Sequence, residues 1–194
     1  IRSFEKAGAA AVHLEDQVSQ KRCGHRPGKE VVDTAEMVDR IKAAVDARRD
    51  GSFVIMARTD AAGSEGLQAA IDRLGAYREA GADMAFPEAM QTLDDYAAVR
   101  KAVDLPILAN LTEFGKTPLY TLDELRGVGV DIALYCCGAY RMMNAAALDF
   151  YREVRSAGSQ QALVPRMQTR DELYEFLGYH DFERKLDALF ARKA

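Results

Sequence analysis

The sequence predicts an α/β protein: a (β/α)8 barrel of which this chain carries the last five strand–helix units, followed by further helices. Three observations point there. A helix that ends at glycine and runs straight into a short apolar strand recurs at residues 4–15, 77–88 and 127–136. The strands are nearly continuous in apolar character, as parallel strands covered on both faces are. Strands and helices alternate roughly every 25 residues, with no Gly-x-Gly-x-x-Gly fingerprint of a dinucleotide fold. A complete barrel takes about 250 residues, so three units are expected to be absent from this chain or supplied elsewhere. The alternative is a complete five-stranded doubly wound domain, but nothing in the sequence marks a switch-point site.

The elements follow in order. Ile1-Arg2-Ser3-Phe4-Glu5-Lys6-Ala7-Gly8 reads as the end of an amphipathic helix closing on Gly8, where a left-handed cap costs least. It has neither an initiator Met nor a signal-peptide pattern, so the chain is expected to begin inside a larger fold. The first strand is Ala10-Ala11-Val12-His13-Leu14-Glu15, and residues 17–32 make the one long connection. Asp33-Thr34-Ala35-Glu36 offers an N-cap with Glu three later, and Met37, Ile41, Ala44 and Val45 follow at helical spacing. The second strand, Phe53-Val54-Ile55-Met56-Ala57-Arg58, leads to a helix over 66–80. The third, Asp83-Met84-Ala85-Phe86-Pro87-Glu88, leads to a helix over 93–103. Pro106-Ile107-Leu108-Ala109-Asn110 precedes a helix over 122–127, and Asp131-Ile132-Ala133-Leu134-Tyr135-Cys136 precedes one over 139–157. Residues 1–158 are thus expected to form the barrel part, with 17–32 as a lid, and 159–194 a C-terminal helical extension.

Bulk properties exclude several classes. A chain of 194 residues fits one domain with a sizeable core. Net charge is −4 with acids and bases interspersed, so there is no electrostatic footprint for nucleic acid. No apolar run approaches the roughly 20 residues of a membrane span. Cys23 and the adjacent Cys136 and Cys137 make no disulfide framework, which suggests a reducing, cytoplasmic setting.

Two constellations carry chemistry. The first is Lys21-Arg22-Cys23-Gly24-His25-Arg26-Pro27, a thiol among three fixed cations and an imidazole. Cations beside a thiol favour its ionised form, and the adjacent glycine lets a ligand approach the backbone. Such a cysteine suits proton transfer near neutral pH. The second lies at the strand ends, where barrels of this kind do their chemistry. Glu15 and Asp16, Arg58 and Asp60, Glu88, Asn110 and Thr112, and Cys136 fall there. Buried charges need partners or a ligand, so this ring suggests a polar, anionic substrate. Arg58 suits bidentate carboxylate binding, and the hard oxygens of Glu15 and Glu88 suit hydroxyl, water or Mg²⁺ contacts. His13 reads as a core or pocket-wall histidine and His180 as structural. Tyr135 and Tyr140 read as packing residues.

Lys21-Arg22-Cys23-Gly24-His25 resembles the catalytic loop of the isocitrate lyase and phosphoenolpyruvate mutase superfamily. Within it, Leu14-Glu15-Asp16-Gln17, His25-Arg26-Pro27, Met56-Ala57-Arg58-Thr59-Asp60-Ala61, Phe86-Pro87-Glu88-Ala89, Leu108-Ala109-Asn110-Leu111-Thr112-Glu113-Phe114-Gly115 and Met167-Gln168-Thr169-Arg170-Asp171-Glu172-Leu173-Tyr174-Glu175 are similar to the lyases that cleave 2-methylisocitrate. The resemblance covers essentially the whole chain. It implies a barrel of that superfamily's type and a C–C cleavage giving succinate and pyruvate, as in the methylcitrate cycle of propionate catabolism.

By the same resemblance, Cys23 is the general acid, and Cys23, Gly24, His25, Arg58, Glu88, Asn110, Thr112, Arg141 and Arg170 bind substrate. Mg²⁺ is the implied cofactor, with Glu15 beside it through water and the main aspartate ligands expected upstream of Ile1. A small tricarboxylate is the implied substrate, with neither nucleic acid nor membrane as partner. A homotetramer is implied too, the last helices packing on a neighbouring subunit. The departures are the missing units, which in relatives carry the metal-binding Asp pair, and Cys136-Cys137-Gly138 in place of other small residues. The alternatives are isocitrate lyase, another superfamily member, or an inactive fragment.

Overall fold

The computed structural model describes residues 1–191, so residues 192–194 of the expected C-terminal extension lie outside the described residues. The described chain forms two compact units, Ile1–Gly138 and a second from Ala139 on.

The first unit alternates strands and helices. Helix α1 (Arg2–Lys6) ends before Gly8, which takes a φ of 84°, and strand β1 (Ala11–Glu15) follows. Then come α2 (Thr34–Ala47), β2 (Val54–Thr59), α3 (Leu67–Glu79), β3 (Met84–Pro87), α4 (Leu93–Ala102), β4 (Leu108–Asn110), α5 (Leu122–Gly127) and β5 (Ile132–Leu134). All pairings are parallel: β1 with β2, β2 with β3, and β4 with β5. A parallel bridge between Ala85 and Ile107 joins β3 to β4, with Ala85 N–H donating to the Pro106 carbonyl at 2.9 Å. The strands therefore lie side by side in chain order, without the reversal that makes a doubly wound switch point.

The glycine-ended repeat has a structural counterpart. Gly81 and Gly129 take φ of 102° and 81°, and each is followed two residues later by an aspartate. Asp83 Oδ2 accepts the Ile55 N–H at 2.8 Å and pairs with Arg48 at 2.6 Å, while Arg48 also donates to the Phe53 carbonyl. Two units on, Asp131 Oδ2 accepts the Ile107 N–H at 2.8 Å and Arg100 donates to the Leu105 carbonyl. Each aspartate satisfies a strand-end N–H of its neighbour and ties down the arginine of an earlier helix, which fixes the strand start.

Side chains alternate across the sheet. Ala57, Ala85, Ile107 and Ala109 pack under the helices against Met37, Ile41, Leu74, Tyr77, Tyr96 and Val99. Small alanines on the strands let those helices approach closely. Met56, Phe86 and Leu108 form a separate cluster. Two residues further along each of these strands stand Arg58, Glu88 and Asn110.

Several expectations are corrected. Strands β1, β3, β4 and β5 are shorter than the apolar runs and β2 is shifted by one residue, with Ala10, Phe53, Asp83, Pro106 and Asp131 standing before the strands. Asp33 stands at the N-cap of α2, but its side chain makes no capping bond. Full capping boxes form instead at Thr92 with Asp95, Thr121 with Glu124 and Thr169 with Glu172. The second unit contains α6 (Gly138–Ala157), a 3-10 turn (Gln161–Arg166), α7 (Arg170–Leu177) and α8 (Tyr179–Ala191). Gly178, at φ 60°, separates α7 from α8, and Tyr174 stacks on Tyr179 across that break at 4.1 Å. Among the described residues no helix is long and apolar enough to cross a membrane.

Candidate active site

Period-two alternation carries the polar ends of β2, β3 and β4 past the Met56, Phe86 and Leu108 cluster to one place. Arg58 is the hub. Its Nε donates to Asp60 Oδ2 at 2.9 Å, and its Nη2 lies 3.3 Å from both Glu15 Oε1 and Glu88 Oε2. Its guanidinium sits 4.8 Å above the Phe86 ring centroid, a cation–π contact. Burial pulls the Arg58 pKa down, but Glu88, Asp60 and Glu15 outweigh it and leave the net shift upward.

Two of the acids around Arg58 are pushed in opposite directions. Glu15 is raised, first by burial and then by its hydrogen bond with Asp60, despite Lys21 and Arg58. Asp60 is lowered: burial opposes this, but bonds from Arg58 and Glu15 and the nearby Lys29 charge prevail. Two neighbouring acids whose pKa values are pushed in opposite directions are the pattern of acid–base sites. Asp16, fully buried, sits behind them. It accepts from Thr59 Oγ1 at 2.6 Å, Tyr77 OH at 2.9 Å and the Asp60 N–H at 2.9 Å, and so fixes the turn that carries Asp60.

The loop 17–32 packs onto this rim. Gly24 is buried, and a β-carbon there would lie 2.6 Å from Asp60 Oδ1 and 2.7 Å from Arg58 Nη2. His25 enters beside it. The Lys116 N–H donates to His25 Nδ1 at 3.0 Å, which puts the imidazole proton on Nε2, 2.8 Å from Glu88 Oε1. Room for the ring exists because residue 115 is glycine: a β-carbon there would lie 2.7 Å from Nδ1. Cys23 itself is exposed, beside a cavity of about 480 Å³ lined by Lys21, Arg22, Arg26 and Pro27. Asn110 Nδ2 reaches Glu88 at 3.3 Å, while its buried Oδ1 has no hydrogen-bond partner among the described residues. Thr112 Oγ1 lies 3.2 Å from Cys136 Sγ. Ala89, just after Glu88, takes a φ of 61°, strain of the kind that collects at functional turns.

Glu15, Gly24, His25, Arg58, Glu88 and Asn110 are thereby brought into one network, and Thr112 joins Cys136 on the neighbouring strand ends. Arg141 and Arg170 belong to the second unit, exposed on α6 and at the start of α7. His13 packs edge-on to Phe86 at 5.6 Å and is lowered by burial, then by Arg58 and Lys21. His180 is exposed, 2.8 Å from Glu183. Sequence reasoning named Gln17 and Gly115 only within motifs, and gave no role to Gly63 or Lys29. Lys29 is buried against Asp60, and no local pattern distinguishes it from a solvated loop lysine.

Among the described residues no group of three His, Cys, Asp or Glu side chains could hold a metal ion. Glu15 accepts from Gln17 and Lys21, Asp60 from Arg58 and Lys29, and Glu88 from Asn110. With these acids each tied to a donor, the residues present do not make a magnesium site by themselves.

Residues 1–155 match the family described as phosphoenolpyruvate phosphomutase. The chain is similar to the 2-methylisocitrate lyase of Salmonella typhimurium, 58% identical over 193 residues, covering 100% of this chain and 65% of that protein. Among solved structures it is similar to 2,3-dimethylmalate lyase, a PEP mutase/isocitrate lyase superfamily member, with TM-score 0.85 and 35% identity over 97% of this chain and 62% of that one. It is also similar to a phosphonopyruvate hydrolase in complex with oxalate and Mg++, with TM-score 0.78 and 28% identity over 97% of this chain and 64% of that one. The chain thus spans just under two thirds of the length of these proteins. With its family match over four fifths of its length and its Cys-Gly-His loop packed on an arginine–carboxylate rim, the chain belongs to the phosphoenolpyruvate phosphomutase family.

Proposed function

We propose that the chain supplies the cysteine loop and substrate rim of a C–C lyase that cleaves 2-methylisocitrate to succinate and pyruvate. The packing of Gly24 and His25 onto Arg58, Asp60 and Glu88 carries the reading, and the 58% identity to the Salmonella enzyme supports the substrate.

The substrate is a tricarboxylate with a tertiary hydroxyl. Removal of the hydroxyl proton by a base lets the C–C bond break. The carbonyl of pyruvate forms, and the electron pair passes to the succinate half as an aci-carboxylate. Arg58 would hold a carboxylate there, and the Gly24 N–H would add a second donor where charge develops. Cys23 would then protonate the carbanion and take the proton back in the reverse direction. The unpartnered Asn110 Oδ1 suits a substrate hydroxyl, and Thr112 would line the same wall. Arg141 and Arg170 are proposed as further carboxylate ligands. Mg²⁺ would supply Lewis-acid polarisation of the hydroxy-acid half. Its relation to this chain is confined to Glu15 through water, and the phosphonopyruvate hydrolase complex supports a divalent ion in the family.

The parallel strands in sequential order support a place within a (β/α)8 barrel, with 159–194 as an extension. Large apolar side chains exposed on the second unit, such as Met142, Met143, Tyr151, Phe176, Phe182 and Phe190, support association with other copies in a tetramer. A cytoplasmic location fits three cysteines that form no disulfide among the described residues.

The test is pyruvate release from 2-methylisocitrate with Mg²⁺, by the protein at its full genomic length, and by its Cys23→Ser variant. Release lost in the variant is expected. Preference for isocitrate, or undiminished release after Cys23→Ser, would overturn the assignment.

A further inference from the structure

Lys29 has no part in the chemistry above, yet its side chain is only 2% exposed. Its ammonium donates to the Gly24 carbonyl and lies 3.2 Å from Asp60 Oδ1. Space for its last atoms exists because residue 63 is glycine: a β-carbon there would lie 2.7 Å from both Lys29 Cε and Nζ. The lysine therefore runs from the loop, past Gly63, to the acid that also holds Arg58.

The rest of the loop shows why such a contact matters. Its two ends form a neck: Gln17 and Val31 bridge antiparallel, Val18 N–H donates to the Glu30 carbonyl at 3.1 Å, and Val32 N–H donates to the Asp16 carbonyl at 2.8 Å. The neck does not hold the tip. Cys23 is held through its two neighbours. On one side, the Arg22 N–H donates to Gln17 Oε1 at 2.8 Å and Gln17 Nε2 donates to the Arg22 carbonyl at 2.9 Å. On the other side, Gly24 is held by Lys29.

We infer that Lys29 is a positioning residue, a latch that ties the tip of the Cys23 loop to Asp60 and so sets where the thiol stands relative to Arg58. An ammonium is a compact cation with three donors, so it can satisfy the Gly24 carbonyl and the Asp60 carboxylate together. Loop closure and charge balance at Asp60 become one event. When the loop lifts, Asp60 loses one of its two cations and Lys29 returns to water, giving two discrete states instead of a gradual slide.

The inference rests on the proposed lyase reaction only for its activity readout. Two variants of the full chain test it by different routes. Lys29→Met keeps the stem and removes the charge. Gly63→Ala keeps the charge and displaces the lysine, at an exposed position whose backbone accepts alanine. In both, amide exchange of residues 20–28 should quicken by about tenfold or more while that of β2 stays as in the parent. With 2-methylisocitrate, kcat should fall by about tenfold or more and KM should change by less than about threefold. Unchanged exchange at the tip in both variants, or equal acceleration in β2, would overturn the latch. If the parent releases no pyruvate but the exchange responds as stated, the latch stands and the substrate assignment falls.

Discussion

Gly24 rests so closely on Arg58 that a β-carbon at residue 24 would lie 2.7 Å from Arg58 Nη2. The obstructing atoms belong to a buried, cross-bonded rim and not to the free end of a mobile side chain. Gly24→Ala must therefore lift the loop. A displacement of about 1 Å at a reacting group can cost about 100-fold in rate, so kcat for pyruvate release should drop on that scale with little change in melting temperature. Steady-state kinetics beside a thermal melt separates the two, and near-parental kcat would refute the close packing.

Asp16 is the anchor beneath the rim. Tyr77→Phe removes one donor to a buried carboxylate and should cost about 1.5–3 kcal/mol. Asp16→Ala leaves Thr59, Tyr77 and the Asp60 N–H without their acceptor and should cost about 3 kcal/mol or more. Urea unfolding measures both, and the smaller effect must belong to Tyr77→Phe.

The repeated aspartates at strand entry serve stability, not chemistry. Asp83→Ala orphans the Ile55 N–H and leaves Arg48 only the Phe53 carbonyl, and should cost about 1–3 kcal/mol with kcat unaltered in the folded fraction. Asp131→Ala should behave alike at Ile107. A fall in kcat without loss of stability would contradict this.

Alkali should loosen the fold through two phenols. Burial, then the nearby Asp16 charge, pushes Tyr77 well above its ordinary value of 10.0, and burial, then Glu88, does the same for Tyr96. The folded state thus holds these protons more tightly than the unfolded chain. Their contribution is complete below pH 10 and is lost as pH rises above it. The urea midpoint should fall as pH rises above about 10, and Tyr77→Phe and Tyr96→Phe should each flatten that fall. A midpoint that is flat across this range in the parent would sink the prediction.

Much of this was legible in the residues. Apolar runs that follow Gly8, Gly81 and Gly129 marked strand positions to within a few residues, because a glycine at positive φ and a continuous apolar run are local properties. Strand-end placement of Glu15, Arg58, Glu88 and Asn110 followed from where those runs end. The capping bond expected at Asp33 did not form, while Thr92, Thr121 and Thr169 closed full boxes, since a cap depends on the rotamer and entry angle as well as on residue type.

By itself, the sequence determined the alternation of strands and helices, the family and the identity of the polar groups at the strand ends, because these rest on short-range spacing and residue chemistry. Only the tertiary structure decided that Arg58 gathers three carboxylates, that Gly24 and His25 fit against glycine-sized gaps, and that Lys29 is buried on Asp60. Those outcomes depend on which atoms meet after residues tens of positions apart are packed together, and pairwise contact of that kind leaves no periodic mark on the chain.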